Sequence, residues 1–205
     1  MRTSSRKTEP ASQGAARPCR VLALYGSPRR GGNSDLLLNE FVRGCTSAGA
    51  TVKPLYLSQL RLKGCQGCNG CAEKGRCVVQ DDMDKVYKAI DESDRIVLAS
   101  PIYFYGVTGQ AKLVIDRAQA LWSERIRAGT GKTPSGRKGF FISVGATRGK
   151  RLFDGAVLTV RYFFDAIGAQ YAGDLLYAGF DEKGAIRRHP TAFQECFEAG
   201  RAFVS

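Results

Sequence analysis

Residues Val21 to Cys45, VLALYGSPRRGGNSDLLLNEFVRGC, constrain this chain more than any other stretch. A short apolar run (Val21 to Tyr25) enters a turn rich in Gly, Ser, Pro and Asn. It then meets a segment in which Leu38, Phe41, Val42 and Cys45 recur at i, i+3, i+4 and i+7. The pattern predicts a strand, a polar loop and a helix. Such a loop aims backbone N–H groups and the positive end of the helix dipole at one point, where anions bind. Ser27, Asn33 and Ser34 can donate hydrogen bonds to phosphate oxygens, and Arg29 and Arg30 can add charge-assisted ones. The same residues also read as an ordinary helix start, with Ser34 as N-cap and Gly31-Gly32 as a turn. A nucleoside triphosphate is disfavoured, because Gly32 and Asn33 stand where its loop needs Lys and Ser or Thr. The dinucleotide fingerprint G-x-G-x-x-G is absent as well, which leaves a terminal monophosphate as the expected anion.

The rest of the chain alternates strand and helix. Ala50 to Leu57 reads as a second strand, and Pro54 puts it at a sheet edge because it cannot donate to a ladder. Asp82 to Asp91 predicts a short helix with Met83, Val86 and Ile90 on one face and the acids Asp81 and Asp82 at its start. Arg95 to Ser100 is a continuous buried strand, followed by the aromatic loop SPIYFYGVTGQ. A helix then carries Ala111, Val114, Ile115 and Ala118, with Asp116 and Arg117 on its other side. Gly139 to Gly145 predicts a fourth strand ending in ATRGKR, and Phe153 to Ile167 an amphipathic helix. A fifth strand near Gln170 to Phe180 and a last helix from about Thr191 complete the chain.

This alternation predicts an α/β fold: a doubly wound five-stranded parallel sheet of order 2-1-3-4-5, with helices on both faces. At 205 residues and 43% hydrophobic, the chain fits one domain (20–205) after a basic tail (1–19) expected to be disordered. An Arg- and Ser-rich transit peptide is the competing reading of that tail. No apolar run approaches the ~20 residues of a membrane span, so no membrane span is expected. The net charge of +12 suits a phosphorylated ligand. Its dispersal, with no Lys/Arg run longer than two, argues against nucleic acid.

In such a sheet, ligands sit at the carboxyl ends of the strands where strand order reverses. Three loops converge there: Ser27 to Ser34, Pro101 to Gly109, and Ala146 to Arg151. They offer a phosphate nest, three aromatic rings, and backbone N–H groups beside small residues. A phosphate at one end and a flat heterocycle at the other describe FMN, although each tyrosine also reads as core or interface packing. GTGKT (Gly129 to Thr133) is a false phosphate-loop lead, with Ile126 where the first Gly should stand.

Cys65, Cys68, Cys71 and Cys77 form a C-x2-C-x2-C-x5-C array, four thiols within thirteen residues. A structural zinc more often uses two C-x-x-C pairs ~12 to 20 residues apart, and the compact run suits a [4Fe-4S] cluster better. A reduced thiol loop that closes a disulfide on oxidation is the alternative. Of the other cysteines, Cys45 and Cys196 lie on apolar helical stripes and are expected to be buried, and Cys19 to be exposed.

GSPRRGGNS (Gly26 to Ser34), ASPIYFYGVTGQAKLVIDR (Ala99 to Arg117) and the cysteine array resemble the flavodoxin-like NADPH-dependent FMN reductases, in particular their iron-sulfur flavoprotein branch. The resemblance covers most of Arg20 to Arg201. It implies that Ser27, Arg29, Asn33 and Ser34 hold the FMN phosphate. It also implies that Pro101, Ile102, Tyr103, Phe104 and Gly106 line the isoalloxazine, with Gly145, Ala146, Thr147 and Arg148 beside its pyrimidine edge. The array matches the compact cluster motif of that branch. The expected activity is an FMN-dependent oxidoreductase that takes electrons from NAD(P)H or a reduced carrier such as ferredoxin. It would pass them to a flavin, quinone or other small acceptor. The alternative is an electron carrier without a nicotinamide site. No side-chain acid or base is obligatory for this chemistry, and His189, beside Pro190, reads as a loop or cap residue. A cytoplasmic homodimer, or a homotetramer, is expected, because the aromatic loop leaves an apolar patch to cover.

Overall fold

Five strands form a single all-parallel sheet in the order β2-β1-β3-β4-β5. They are β1 (Arg20–Tyr25), β2 (Thr51–Tyr56), β3 (Arg95–Pro101), β4 (Arg137–Gly145) and β5 (Ala169–Ala178). The structure, a computed structural model, describes residues 17–130 and 136–205. The helices are α1 (Asn33–Ser47), α2 (Gly70–Lys74), α3 (Met83–Asp91), α4 (Gly109–Arg117), α5 (Gln119–Arg127), α6 (Asp154–Ala166) and α7 (Ala192–Val204). The expected sheet order and helix alternation are therefore present. Pro54 pairs opposite Ala23 on the edge strand, where its missing N–H costs no ladder bond on the open side. Residues 1–16 of the expected tail, and the end of GTGKT, lie outside the described residues. Arg17 is tied to Asp94 by two bonds of 2.8 Å, and the Cys19 carbonyl accepts from Thr51 N at 2.9 Å. Cys19 is accordingly half-buried, not exposed as its place in the tail suggested.

Alternate strand residues feed two cores. Leu22, Leu24, Ile96, Leu98 and Phe141 pack under α3, α4, α5 and α6. Val21, Ala23, Val97, Ala99 and Ile142 face α1 and α7 on the other side. Strands covered on both faces have no solvent side, which is why their sequences read as continuous apolar runs. Helices α1 and α7 touch backbone to backbone: a Cβ on Gly44 would lie 2.0 Å from the Phe197 carbonyl oxygen, and one on Gly200 2.0 Å from that of Phe41. Only glycine permits that approach. It brings Phe41, fully buried, against Phe140 and Phe203.

Two features depart from the sequence expectation. The helix after β3 breaks at Ala118 into α4 and α5. Arg117, expected on its solvent side, is instead among the largest fully buried side chains, because Asp81 lies opposite it.

Candidate functional site

The carboxyl ends of β1, β3 and β4 are tied together by buried hydroxyls. Thr108 caps α4 by accepting from Ala111 N at 3.2 Å, and its Oγ1 donates to the Gly26 carbonyl at 2.5 Å. Thr108 N donates to Ser100 Oγ at 3.1 Å, and Ser143 Oγ donates to the Ser100 carbonyl at 2.8 Å. Gly26 N in turn donates to the Ala99 carbonyl at 2.8 Å, and a Cβ at Gly26 would meet that oxygen at 2.8 Å. These bonds fix the loops after β1 and β3 against each other. Ser100 and Ser143 are not signalled by the sequence, where lone hydroxyls in apolar strands look like any others, and neither is the reach of the Thr108 hydroxyl back to Gly26.

Above this floor opens a shallow cleft. Ser27, Arg29, Asn33, Ser34, Pro101, Ile102, Tyr103 and Ala146 of the expected set line it. Gly32, Val144, Phe180, Asp181 and Lys183 line it as well, the last three from the turn after β5 that sequence reasoning did not include. Phe104, Gly106, Gly145, Thr147 and Arg148 are not on its wall. The Gly145 carbonyl instead accepts from Gly179 N and Phe180 N, which docks the β5 turn beside the cleft.

Helix α1 opens into the cleft. Gly32 occupies its cap position and no side chain caps it, so first-turn N–H groups are available to a ligand. Ser34 Oγ is buried and has no hydrogen-bond partner among the described residues. A buried hydroxyl is ordinarily satisfied, so this one fits an anion bound at the helix start. Ser27 Oγ accepts from Arg29 N at 3.1 Å and donates to the Arg29 carbonyl at 3.2 Å, so its hydroxyl shapes the loop. Asn33 differs from expectation. Its Nδ2 donates to the carbonyls of Phe180 and Glu182, and its Oδ1 accepts from Ile186 N, so its side chain clips the β5 turn and has no donor left for phosphate. Arg30 also points elsewhere, with its guanidinium carbon 3.4 Å from the centre of the Tyr56 ring, which stacks on Tyr25.

The aromatic loop is a tight turn closed by two bonds, Tyr103 N to Gly106 O at 2.9 Å and Gly106 N to Tyr103 O at 3.0 Å. Its central residues, Phe104 and Tyr105, have φ of 49° and 62°. Left-handed backbone costs a non-glycine residue roughly 1–2 kcal/mol, and strain of this kind collects at binding sites. The Phe104 ring is fully exposed. Tyr105 leans the other way, its carbonyl oxygen 2.8 Å from where a Cβ on Gly155 of α6 would lie.

The four clustered thiols are not gathered at one point. No group of three or more His, Cys, Asp or Glu among the described residues is placed to hold a metal ion. Residues Gly70–Lys74 fold as α2 and carry Cys71 toward α5, where the Ser123 hydroxyl donates to its sulfur at 3.6 Å. Cys77 faces Tyr87 and Arg117, while Cys65 and Cys68 are exposed. Four thiols are the right donor chemistry for a cluster, but their arrangement here does not converge as the spacing predicted. His189 is a cap residue, as expected: its Nδ1 accepts from Thr191 N and Ala192 N at the start of α7.

A five-stranded parallel sheet of order 2-1-3-4-5, with an uncapped helix start and an aromatic loop meeting at its switch point, defines a flavodoxin-like mononucleotide-binding protein. The family model for NADPH-dependent FMN reductase matches residues 19–182, and the chain belongs to that family. An iron-sulfur flavoprotein of Methanocaldococcus jannaschii is 39% identical over 102 residues, covering 50% of this chain and 53% of that protein. A second iron-sulfur flavoprotein of the same organism is 32% identical over 148 residues, covering 71% and 70%. The chain spans about half the length of most of the curated relatives it matches. The structure of an NAD(P)H:quinone oxidoreductase from Methanothermobacter marburgensis superposes with a TM-score of 0.68 at 15% identity, covering 92% of this chain and 98% of that one. At that identity the likeness concerns the fold.

Proposed function

We propose that this chain is an FMN-dependent oxidoreductase that takes electrons from NAD(P)H and delivers them to a small acceptor such as a free flavin or a quinone. The unpartnered, buried Ser34 hydroxyl at the open start of α1, set in the same cleft as Pro101, Ile102 and Tyr103, carries this reading. Ser34, Arg29 and the first-turn N–H groups of α1 would hold the phosphate, with Ser27 and Gly32 shaping the loop through their bonds to the Arg29 carbonyl, and Pro101 to Tyr103 would wall the ring. Bound FMN supplies hydride acceptance and electron release. The protein would supply position, a wall over one ring face, and backbone N–H groups of the Ala146 loop for the ring edge where negative charge gathers.

The test is the visible spectrum of the purified protein, followed by steady-state NADPH and NADH oxidation with added FMN or quinone. Bound flavin with nicotinamide turnover supports the proposal. Flavin without turnover favours a carrier fed by a reduced protein such as ferredoxin, and absence of flavin binding rejects both.

The names of the iron-sulfur flavoprotein relatives favour a second element, a [4Fe-4S] cluster on Cys65, Cys68, Cys71 and Cys77. The thiol loop would have to close around it, and left-handed backbone at Gly67, Asn69 and Gly75 provides turns for doing so. Iron and acid-labile sulfide per FMN after anaerobic reconstitution decide the matter, with values near zero rejecting the cluster.

A further inference from the structure

We infer that Lys183, on the turn after β5, is the second cation of the phosphate site, and that Asn33 serves that site by holding this turn in place. The inference rests on the flavin reading above.

Asn33 begins α1, yet its amide reaches residues about 150 positions later in the chain. Nδ2 donates to Phe180 O at 3.2 Å and to Glu182 O at 2.9 Å, and Oδ1 accepts from Ile186 N at 3.2 Å. An amide has two donor hydrogens, and both are used. The clip brings Phe180, Asp181 and Lys183 to the cleft wall alongside Arg29. Lys183 Cε lies 3.8 Å from where a Cβ on Gly31 would be, which places its charge over the loop that leads into α1. Neither Lys183 nor Arg29 makes an ion pair among the described residues. Two uncommitted cations, one from each loop, thus share a cleft with the unpartnered Ser34 hydroxyl.

The site also needs them. Asp35 is buried in the first turn of α1, with Oδ2 accepting from Gly31 N at 2.9 Å and Oδ1 without a partner. Asp181 adds a second carboxylate to the wall. A phosphate dianion entering beside these acids is repelled unless cations offset them. Burial pushes the Asp35 carboxyl up, while the Gly31 N–H and the charges of Arg30 and Lys183 oppose that rise, so the Lys183 field reaches the helix start. Arg30 is stacked on Tyr56, which leaves Arg29 and Lys183 free to meet the ligand. A flexible ammonium suits a point-charge contact of this kind.

A phosphate contact distinguishes FMN from riboflavin. The measurement is the dissociation constant of each flavin, by quenching of its fluorescence, for the full chain, K183Q, K183R, N33A and the N33A/K183Q double variant. K183Q should weaken FMN about tenfold and leave riboflavin within about twofold, and K183R should restore most of the loss. N33A should also weaken FMN selectively, with the double variant no worse than N33A alone, because both act through one turn. Lys183 is exposed, so K183Q should keep the wild-type melting temperature. Unchanged FMN affinity in K183Q, or an equal loss for riboflavin, overturns the assignment of Lys183. Additive losses in the double variant overturn the role given to Asn33. Wild-type protein that binds neither flavin, or binds both equally, rejects the phosphate site itself, an outcome distinct from the other two.

Discussion

Arg117 and Asp81 form a buried two-bond ion pair, Nη1 to Oδ2 at 2.9 Å and Nη2 to Oδ1 at 3.2 Å, with side chains 1% and 6% exposed. The same guanidinium donates to the carbonyls of Lys63 and Val79, both at 3.0 Å. Asp81 accepts from the N–H groups of Lys63 and Met83. Lys63 and Val79 bracket Cys65 to Cys77, so this pair closes the base of the thiol loop and joins it to α3 and α4.

Removing one partner of a buried pair strands the other charge. Arg117→Met should therefore destabilise the protein by about 3–5 kcal/mol in urea unfolding. It should also open 63–79 to limited proteolysis under conditions where the remaining fold resists. Burial alone would raise the Asp81 carboxyl, but Arg117 and the two N–H groups outweigh it and hold the group below the usual carboxylate range. A lowered folded value means stability that is present above about pH 4 and lost as pH falls through that value. An acid titration of unfolding should lose this component in Asp81→Asn.

Arg117 also shows where sequence reasoning stops. Helical period places it beside Asp116 on the polar side of α4, and nothing local announces a buried carboxylate 36 positions earlier. The sheet order was legible because it rests on local signals: apolar runs of strand length, helical stripes between them, and Pro54 at the edge. The cleft was legible as far as it is built from loops after β1, β3 and β4. Lys183 was not, because its presence depends on the bonds of Asn33 to a turn at the far end of the chain. Thiol spacing states which donors are near one another, while their convergence depends on how α2 winds.

Thr108 joins the loop after β1 to the start of α4 through its side chain, and its backbone N–H adds Ser100 of β3. Thr108→Val keeps its shape but loses the α4 cap and leaves the Gly26 carbonyl without its donor. The expected loss is about 2–3 kcal/mol in thermal or urea melts, with Thr108→Ser close to wild type. Faster flavin release should accompany the valine variant, since Gly26 leads directly into the loop proposed to hold the phosphate.

Within one subunit Phe104 has no packing to lose and a left-handed backbone to relieve. Asparagine tolerates that backbone better than phenylalanine. Phe104→Asn should raise subunit stability by up to about 1 kcal/mol. A variant less stable than wild type would show that the ring contributes more to the fold than its backbone strain costs.

Cysteine reactivity should divide by burial. Cys45 and Cys196 are fully buried, and burial pushes each thiol up to about 12, with the Tyr177 hydroxyl partly opposing this at Cys196. Thiolate is the reactive form, so both should resist maleimide near pH 8 until denaturant is added. Cys65 and Cys68 are exposed and should label first. Peptide mass mapping of a time course reads the order, and early labelling at Cys45 would contradict the packing of α1 against α7.

The apolar surface around the aromatic turn bears on assembly. Gly155, against which Tyr105 packs, shares a face of α6 with Leu158 and Tyr162 at i+3 and i+7. Those two are 58% and 69% exposed, and with Phe104 and Tyr105 they continue one apolar patch from the cleft rim onto α6. A patch of this composition suits self-association, which would cover the turn whose strain is otherwise unrewarded. The double variant Leu158→Glu, Tyr162→Glu places charge on that surface without touching either core. Sedimentation should show wild-type dimers and variant monomers at the same concentration, with unchanged circular dichroism. A wild-type monomer, or a variant that still dimerises, would place the subunit contact elsewhere or remove it.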